Sequence, residues 1–338
     1  MPMGLMGASR EHERAEGREH ERAGRDERAG GDERAADDPR CVSLLTDYGL
    51  VDGFVAACHG VLLRLAPAVP VIDVTHLVPR GDIRRGATVL ASTVAHLPRG
   101  VHVAVVDPGV GTARRALALR TPAGFLVGPD NGLLVPAAEV LGGVLEAVAL
   151  TVPPDVPATF HGRDVFAPAA AALVTGRPLR ALGLVVDPES LVTLPRLVAR
   201  VAPAGPDGAA RLESDVLCVD GFGNVALAAP ADLLAELGLR PGDRSRLTAL
   251  RGTGPAGGSA SAAPAARPAT DSAAGPPVVA VEAIAVEVAV GVTFGSVEPG
   301  ELVLYADSDG HAALATRDGD AARALGLGPG DRVVITPA

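Results

Sequence analysis

No lysine occurs anywhere in the chain, so all 30 of its basic residues are arginine. This excludes Schiff-base chemistry through a lysine and the phosphate-loop lysine, and leaves arginine or histidine as any catalytic cation. Tryptophan is also absent and aromatic residues make up only 2% of the chain, so its cores must be built from Val, Leu and Ala. Basic runs are missing and the net charge is -10. Nucleic acid and anionic membrane are therefore not expected partners, because a positive footprint supplies most of that affinity. The three cysteines, Cys41, Cys58 and Cys218, are widely spaced and form no CxxC pair. Neither a disulfide framework nor a cysteine metal cluster is indicated, and no ligand set for a metal is apparent. No apolar run reaches the roughly 18 residues of a membrane helix, and the first residues lack a signal-peptide core, so a cytoplasmic protein acting on a small molecule is expected.

With 48% hydrophobic residues among 338, the chain can form two cored domains. Residues 1–40 repeat a charged unit of the type EHERA with almost nothing apolar to bury, which predicts a disordered tail. From Cys41 the pattern alternates strand and helix up to residue 187. Residues 188–338 read as a smaller β-rich domain, interrupted at about 252–277 by a flexible Ala/Gly/Pro/Ser loop. The first domain reads as an α/β unit with a mostly parallel sheet and flanking helices. Helices are expected from Gly53 with Asp52 as N-cap, from Asp82, and after Asp164 as N-cap.

In such a sheet ligands bind at the carboxyl ends of the strands. Asp47 ends VSLLTD, Asp73 ends the strand from Val69, and Asp107 ends VHVAVVD, where Pro108, Gly109 and Gly111 stop the strand and Arg114 and Arg115 follow. Ionised carboxylates at buried strand ends are costly unless paired or used. His161 and Arg163 lie just ahead of an alanine-rich helix. Phe160, Phe166, Phe222 and Phe294 sit in or beside polar motifs, where they could stack on a flat ligand or simply pack.

Six segments together, TDYGLVDGF (46–54), IDVTH (72–76), VVDPGVGTARR (105–115), GPDNGLL (128–134), TFHGRDVFAP (159–168) and DGFGN (220–224), resemble one family. It is the S-adenosyl-L-methionine (SAM) hydroxide adenosyltransferases, adenosine-forming SAM hydrolases related to the fluorinase and chlorinase. The resemblance covers Cys41 to Ala338 and implies a C-terminal β-barrel-like domain and a homotrimer with sites between subunits. It also implies a catalytic triad of Asp107, Arg114 and His161. Carried over in the same way, Asp47 would hold the ribose diol, Asp220 the methionyl ammonium, Asn224 the adenine edge, Phe294 the adenine face and Ser308 the methionyl carboxylate. Asn131 and Phe222 join them as substrate-binding residues. Halogenating relatives rewrite DPGVG and carry Tyr-Ser in place of FHG, which puts this chain on the hydrolase side. The chain departs from the family at SDGHA (308–312) and ATRDGD (315–320), and it has Ala226 where the fluorinase has its stacking tryptophan.

The implied reaction breaks the bond from C5′ to a sulfonium, so methionine leaves neutral and needs no general acid. Neither cofactor nor metal is expected in the chemistry. Water, with a pKa of about 15.7, faces an Asp of about 3.9, a gap of nearly 12 units or roughly 16 kcal/mol. Asp107 therefore cannot pre-form hydroxide; it must take the proton as the bond to C5′ forms, with Arg114 and His161 orienting the water. Two other readings are a noncatalytic SAM or adenosine sensor and a halide-using 5′-halogenase.

Overall fold

The computed structural model describes residues 39–204, 210–251 and 282–338. The expectations for the 1–40 tail, beyond Pro39 and Arg40, and for the 252–277 loop fall outside these residues.

Fifteen strands form two sheets among the described residues. The first runs β2 (Val71–Thr75), β1 (Val42–Thr46), β3 (Val101–Val105), β5 (Gly124–Pro129), β4 (Ala116–Thr121), β6 (Glu146–Leu150) and β7 (Gly183–Val186). It is parallel from β2 through β5 and antiparallel from β5 to β7. The sheet is thus mixed, and its parallel half carries the strand ends singled out above. Period-two alternation sorts side chains to its two faces. Leu44, Val103 and Val105 pack on one side with α1 (Phe54–Leu65) and the later α4 (Ala167–Val174). Leu45, Ala104 and Val106 pack on the other with α2 (Ile83–Val94) and α3 (Val135–Val140). Helices on both faces make β1 and β3 fully buried strands, which is why both are mainly apolar, with Ser43, Thr46 and His102 as their buried polar residues.

Beyond β7, β8 (Ala199–Ala202), β9 (Arg211–Val219), β10 (Val225–Pro230), β11 (Arg244–Arg251), β12 (Glu282–Val290), β13 (Leu302–Ala306), β14 (His311–Thr316) and β15 (Arg332–Pro337) build the second sheet. Pairing of β10 with both β14 and β9 closes seven of these strands into a barrel, with β8 appended to β9. Closure removes the exposed edges that an open sheet would leave. Leu212, Val216, Leu227, Leu247, Val288 and Ile335 are among the side chains filling its interior. Two short helices, α5 (Asp232–Glu236) and α6 (Ala321–Leu325), cap it. Among the described residues no helix is long and apolar enough to cross a membrane.

Three local expectations are corrected. Asp82 caps α2 as expected, accepting from Arg85 N at 2.9 Å, but Asp52 does not cap α1, whose N-cap is Gly53 with no side-chain bond. Asp164 lies inside a π-helical turn, Gly162–Phe166, that feeds directly into α4, so it pairs with Arg163 at 2.7 Å rather than capping. Asp73 sits within β2, opposite Leu44, not at the strand's end.

Candidate active site

Asp107 follows β3 by two residues, at the open end of the parallel half-sheet. The turn after it is held by Val110 N donating to Asp107 O at 3.2 Å and by Thr112, whose hydroxyl donates to Gly109 O at 2.7 Å. Gly111 has φ +79 and lies so close to Ala158 that a Cβ would stand 3.2 Å from its carbonyl oxygen. Glycine alone fits both demands. The chain therefore reverses sharply, and Arg114 folds back on Asp107.

Arg114 Nε donates to both carboxylate oxygens, at 3.0 and 3.1 Å, and Nη2 also reaches Oδ2. The same Nη2 lies 2.9 Å from His161 Nδ1. Arginine can only donate, so Nδ1 is the acceptor and the neutral imidazole carries its proton on Nε2. Burial, then the Arg114 charge, hold the His161 pKa below its ordinary value, which favours that neutral form. The pair is largely dry, with side-chain exposures of 10% for Arg114 and 5% for Asp107. Phe166 forms the floor. It is fully buried, 5.4 Å beneath the Arg114 guanidinium and 6.3 Å from the His161 ring, so it packs under the triad and is not available to stack on a ligand.

The neighbouring Arg115 does something else. It donates to Asp130 Oδ2 at 2.7 Å and grips Ser190 through its hydroxyl and carbonyl, tying the segment after β7 to the sheet. Asn131 is likewise committed to backbone, donating to Val106 O at 2.8 Å and accepting from Leu133 N at 3.2 Å. These two bonds shape the turn behind the triad.

Asp47 stands on the same edge, accepting from Gly81 N at 2.8 Å. Burial raises its pKa, and the negative charge of Asp107 adds to the rise. Beside it lies an aromatic cluster of Tyr48, Phe54 and Phe160, with ring centroids 5.2 to 5.9 Å apart. A Cβ on Gly162 would sit 2.2 Å from the Tyr48 hydroxyl oxygen, so glycine after His161 is what lets Tyr48 reach the histidine's turn. Tyr48 and Phe54 escaped the residue reading, although both lie in the quoted TDYGLVDGF segment; an aromatic beside a strand-end acid was the available signal.

The remaining expected residues gather elsewhere. Asp220, Phe222, Asn224, Phe294 and Ser308 all line one cleft of about 890 Å³ between the barrel and α2, a size suited to a small ligand. Asp220 organises its own loop: Oδ1 accepts from Phe222 N and Asn224 N at 2.8 and 2.9 Å, and Oδ2 accepts from the Asn224 amide at 2.8 Å. Phe222 and Phe294 keep exposed rings. Phe294 is held edge-on by Tyr305 at 5.2 Å, a third residue the sequence did not reveal. Burial, with the charges of Asp307 and Asp220, pushes the Tyr305 phenol up to about 12, so it stays neutral in the cleft. Asp47, Asp107, Arg114 and His161 do not line this cleft. The expected residues thus fall into two separate groups on one chain.

Residues 42–183 match the model for the SAM hydroxide adenosyltransferase N-terminal domain, and residues 270–334 match that for the C-terminal domain. The chain is 50% identical over 299 residues to a protein of Salinispora tropica named (R)-S-adenosyl-L-methionine hydrolase, covering 87% of this chain and 97% of that one. This chain belongs to the SAM hydroxide adenosyltransferase family. A crystal structure of a conserved Thermotoga maritima protein superposes with a TM-score of 0.71 at 31% identity, covering 87% of this chain and 99% of the other. A fluorinase of Nocardia brasiliensis is more distant, 28% identical over 236 residues, 61% of this chain and 77% of its own. The adenosyltransferase family's two domains thus fall on the helix-flanked sheet and on the barrel.

Proposed function

We propose that this enzyme hydrolyses S-adenosyl-L-methionine by attack of water at C5′, releasing adenosine, L-methionine and one proton. The observation that carries the proposal is the convergence of Asp107 and Arg114, from the turn after β3, with His161, from the segment ahead of α4, into one buried, hydrogen-bonded set. The Salinispora relative's name supports it, and we carry over from that name the (R) form as substrate.

Asp107 accepts the water proton as the new C–O bond forms. Arg114 holds that carboxylate by bidentate contact and fixes the His161 tautomer, and His161 offers Nε2–H to the water oxygen as negative charge develops there. The C5′–S bond breaks with its electron pair passing to sulfur, which leaves as a neutral thioether. No proton donor, metal or cofactor is required for that step. Asp47 binds the ribose, while Asp220, Asn224, Phe294 and Ser308 bind the adenine and methionyl ends.

The separation of the two groups supports a reading of them as half-sites of a homotrimer in which one subunit's triad faces its neighbour's cleft. Three buried, unpaired cysteines support a reducing, cytoplasmic setting. A halogenase is disfavoured because Asp107 would repel a halide, and a noncatalytic sensor because the triad is intact. Turnover in water enriched in heavy oxygen, with and without halide and with each sulfonium epimer, tests the assignment. The label should appear on the 5′-hydroxyl of adenosine from the (R) form. A halogenated nucleoside, or adenosine without label, would refute it.

A further inference from the structure

Away from the triad and the cleft, a second set of chemistry-bearing side chains converges. His59 lies on α1, Asp73 within β2 and His76 just after it. Both imidazoles aim Nε2 at one atom, Asp73 Oδ1, at 2.8 Å from His59 and 3.0 Å from His76. All three ligand atoms lie within 4.8 Å of one another. We propose that His59, Asp73 and His76 form a binding site for a divalent transition-metal ion of the zinc class, with a fourth position open to water.

The donor set is the first reason. Two imidazoles and a carboxylate are the ligands zinc takes when three come from protein. Spacing is the second: ligands about 2.0–2.1 Å from a tetrahedral ion stand about 3.3 Å apart, so each imidazole nitrogen need move only a few tenths of an ångström from the Asp73 oxygen, and the two nitrogens already lie within 4.8 Å of each other. Asp73 and His59, with side chains 44% and 29% exposed, have room to give and leave a path for the ion.

His76 supplies the independent observation. The residue is 5% exposed, and its Nε2, turned into this cluster, has no aligned hydrogen-bond partner. Buried polar nitrogens are rarely left so. Its other ring nitrogen, Nδ1, is held 2.8 Å from the buried Thr46 hydroxyl. That is the outer contact a ligating histidine uses to fix its tautomer: when Nε2 binds the ion, the ring proton resides on Nδ1 and is donated to Thr46 Oγ1. The cluster has no part in the hydrolysis proposed above. Metal binding would instead clamp α1 to β2 and, through Thr46, brace the loop carrying Asp47. The set was invisible in the sequence because His59 is on a different element from Asp73 and His76.

The full, untagged chain, first treated with chelator, is titrated with zinc by calorimetry and with cobalt(II) by visible absorption. The expected result is one tightest-class ion per chain, cobalt bands of a four- or five-coordinate nitrogen/oxygen site, and a zinc-dependent rise in melting temperature. His59→Ala, a change at a partly exposed helix position, should weaken the tightest zinc binding by about 100-fold or more and abolish the melting shift. It should leave metal-free melting and turnover unchanged, and His161→Ala should keep the zinc binding. His12 and His20 near the N-terminus offer competing nitrogens. Binding that survives His59→Ala therefore overturns the proposal, as does the lack of any saturable zinc binding by the parent at millimolar ion.

Discussion

Replacing Asp107 by Asn isolates the proton acceptor from the binding groups. The side chain keeps its shape and one acceptor oxygen for Arg114, but it can no longer take a proton from water. Losing a positioned general base costs about 10²–10⁴ in rate, or about 3–5 kcal/mol of transition-state stabilisation at 1.36 per tenfold. The substrate dissociation constant should change by less than about threefold, because the cleft residues Asp220, Asn224 and Phe294 lie elsewhere in the chain and keep their contacts. A stability effect must be separated from this. Asp107 and Arg114 are buried together, and removing one charge of a buried pair can cost about 3–5 kcal/mol, with the retained Asn acceptor holding it to the low end. Turnover is therefore measured by adenosine release at a temperature where both proteins are folded by circular dichroism, and binding by equilibrium dialysis with SAM. Full turnover in Asp107→Asn would refute the base assignment. A rate loss matched by an equal loss of binding would place Asp107 among the substrate contacts instead.

His102, buried in β3 and bonded through Nδ1 to the Ser43 hydroxyl at 2.9 Å, has its pKa pushed down to about 4 from 6.5 by burial. Between those values the unfolded chain binds more protons than the folded one, so this contribution is whole above pH 6.5 and is lost as pH falls to 4, about 3 kcal/mol in all. Urea unfolding across that window checks it, and a pH dependence identical in His102→Gln would sink it. For the composite site, mixing Asp107→Asn chains with Asp220→Ala chains should restore part of the activity neither shows alone, since some interfaces then join an intact triad to an intact cleft. A fully active monomer by sedimentation would end that idea.

The strand-end acids could be read because β1 and β3 are buried on both faces and so carry no charged residue along their length. That contrast makes Asp47 and Asp107 conspicuous. The choice between Arg114 and Arg115 could not be read from composition. Only the family resemblance favoured the first, and the backbone reversal at Gly111 puts Arg114 on Asp107 while Arg115 turns to Asp130 and Ser190. Asp73 was misplaced because a β-strand extends through any residue its register can pair, and an acid facing α1 is tolerated where two histidines meet it. Asp164 misled for a related reason. Local capping preference yields when a helix can start a turn earlier, and Gly162 permits that start by leaving room for Tyr48. Tyr305 was hidden by its place in a strand, where only the tertiary pairing with Phe294 gives it meaning.

The charge state of His161 links these details to the choice of nucleophile. A protonated imidazole beside Arg114 would give the triad a net positive charge and set it against a sulfonium substrate. Burial and the Arg114 guanidinium both act against that protonation. Neutral His161 leaves one carboxylate and one guanidinium, a set without net charge that carries a donor at Nε2 and an acceptor on Asp107 within a dry wall of Phe166, Tyr48 and Phe160. Such a pocket presents no excess positive charge with which to capture a halide from water, whereas a neutral water molecule finds both the donor and the acceptor it needs. The same neutrality suits the proposed attack on a sulfonium by lowering its barrier. Electron density moves from a neutral nucleophile toward a cation, so charge is dispersed in the transition state, and a low-dielectric surrounding penalises the dispersed charge less than the localised sulfonium it began with.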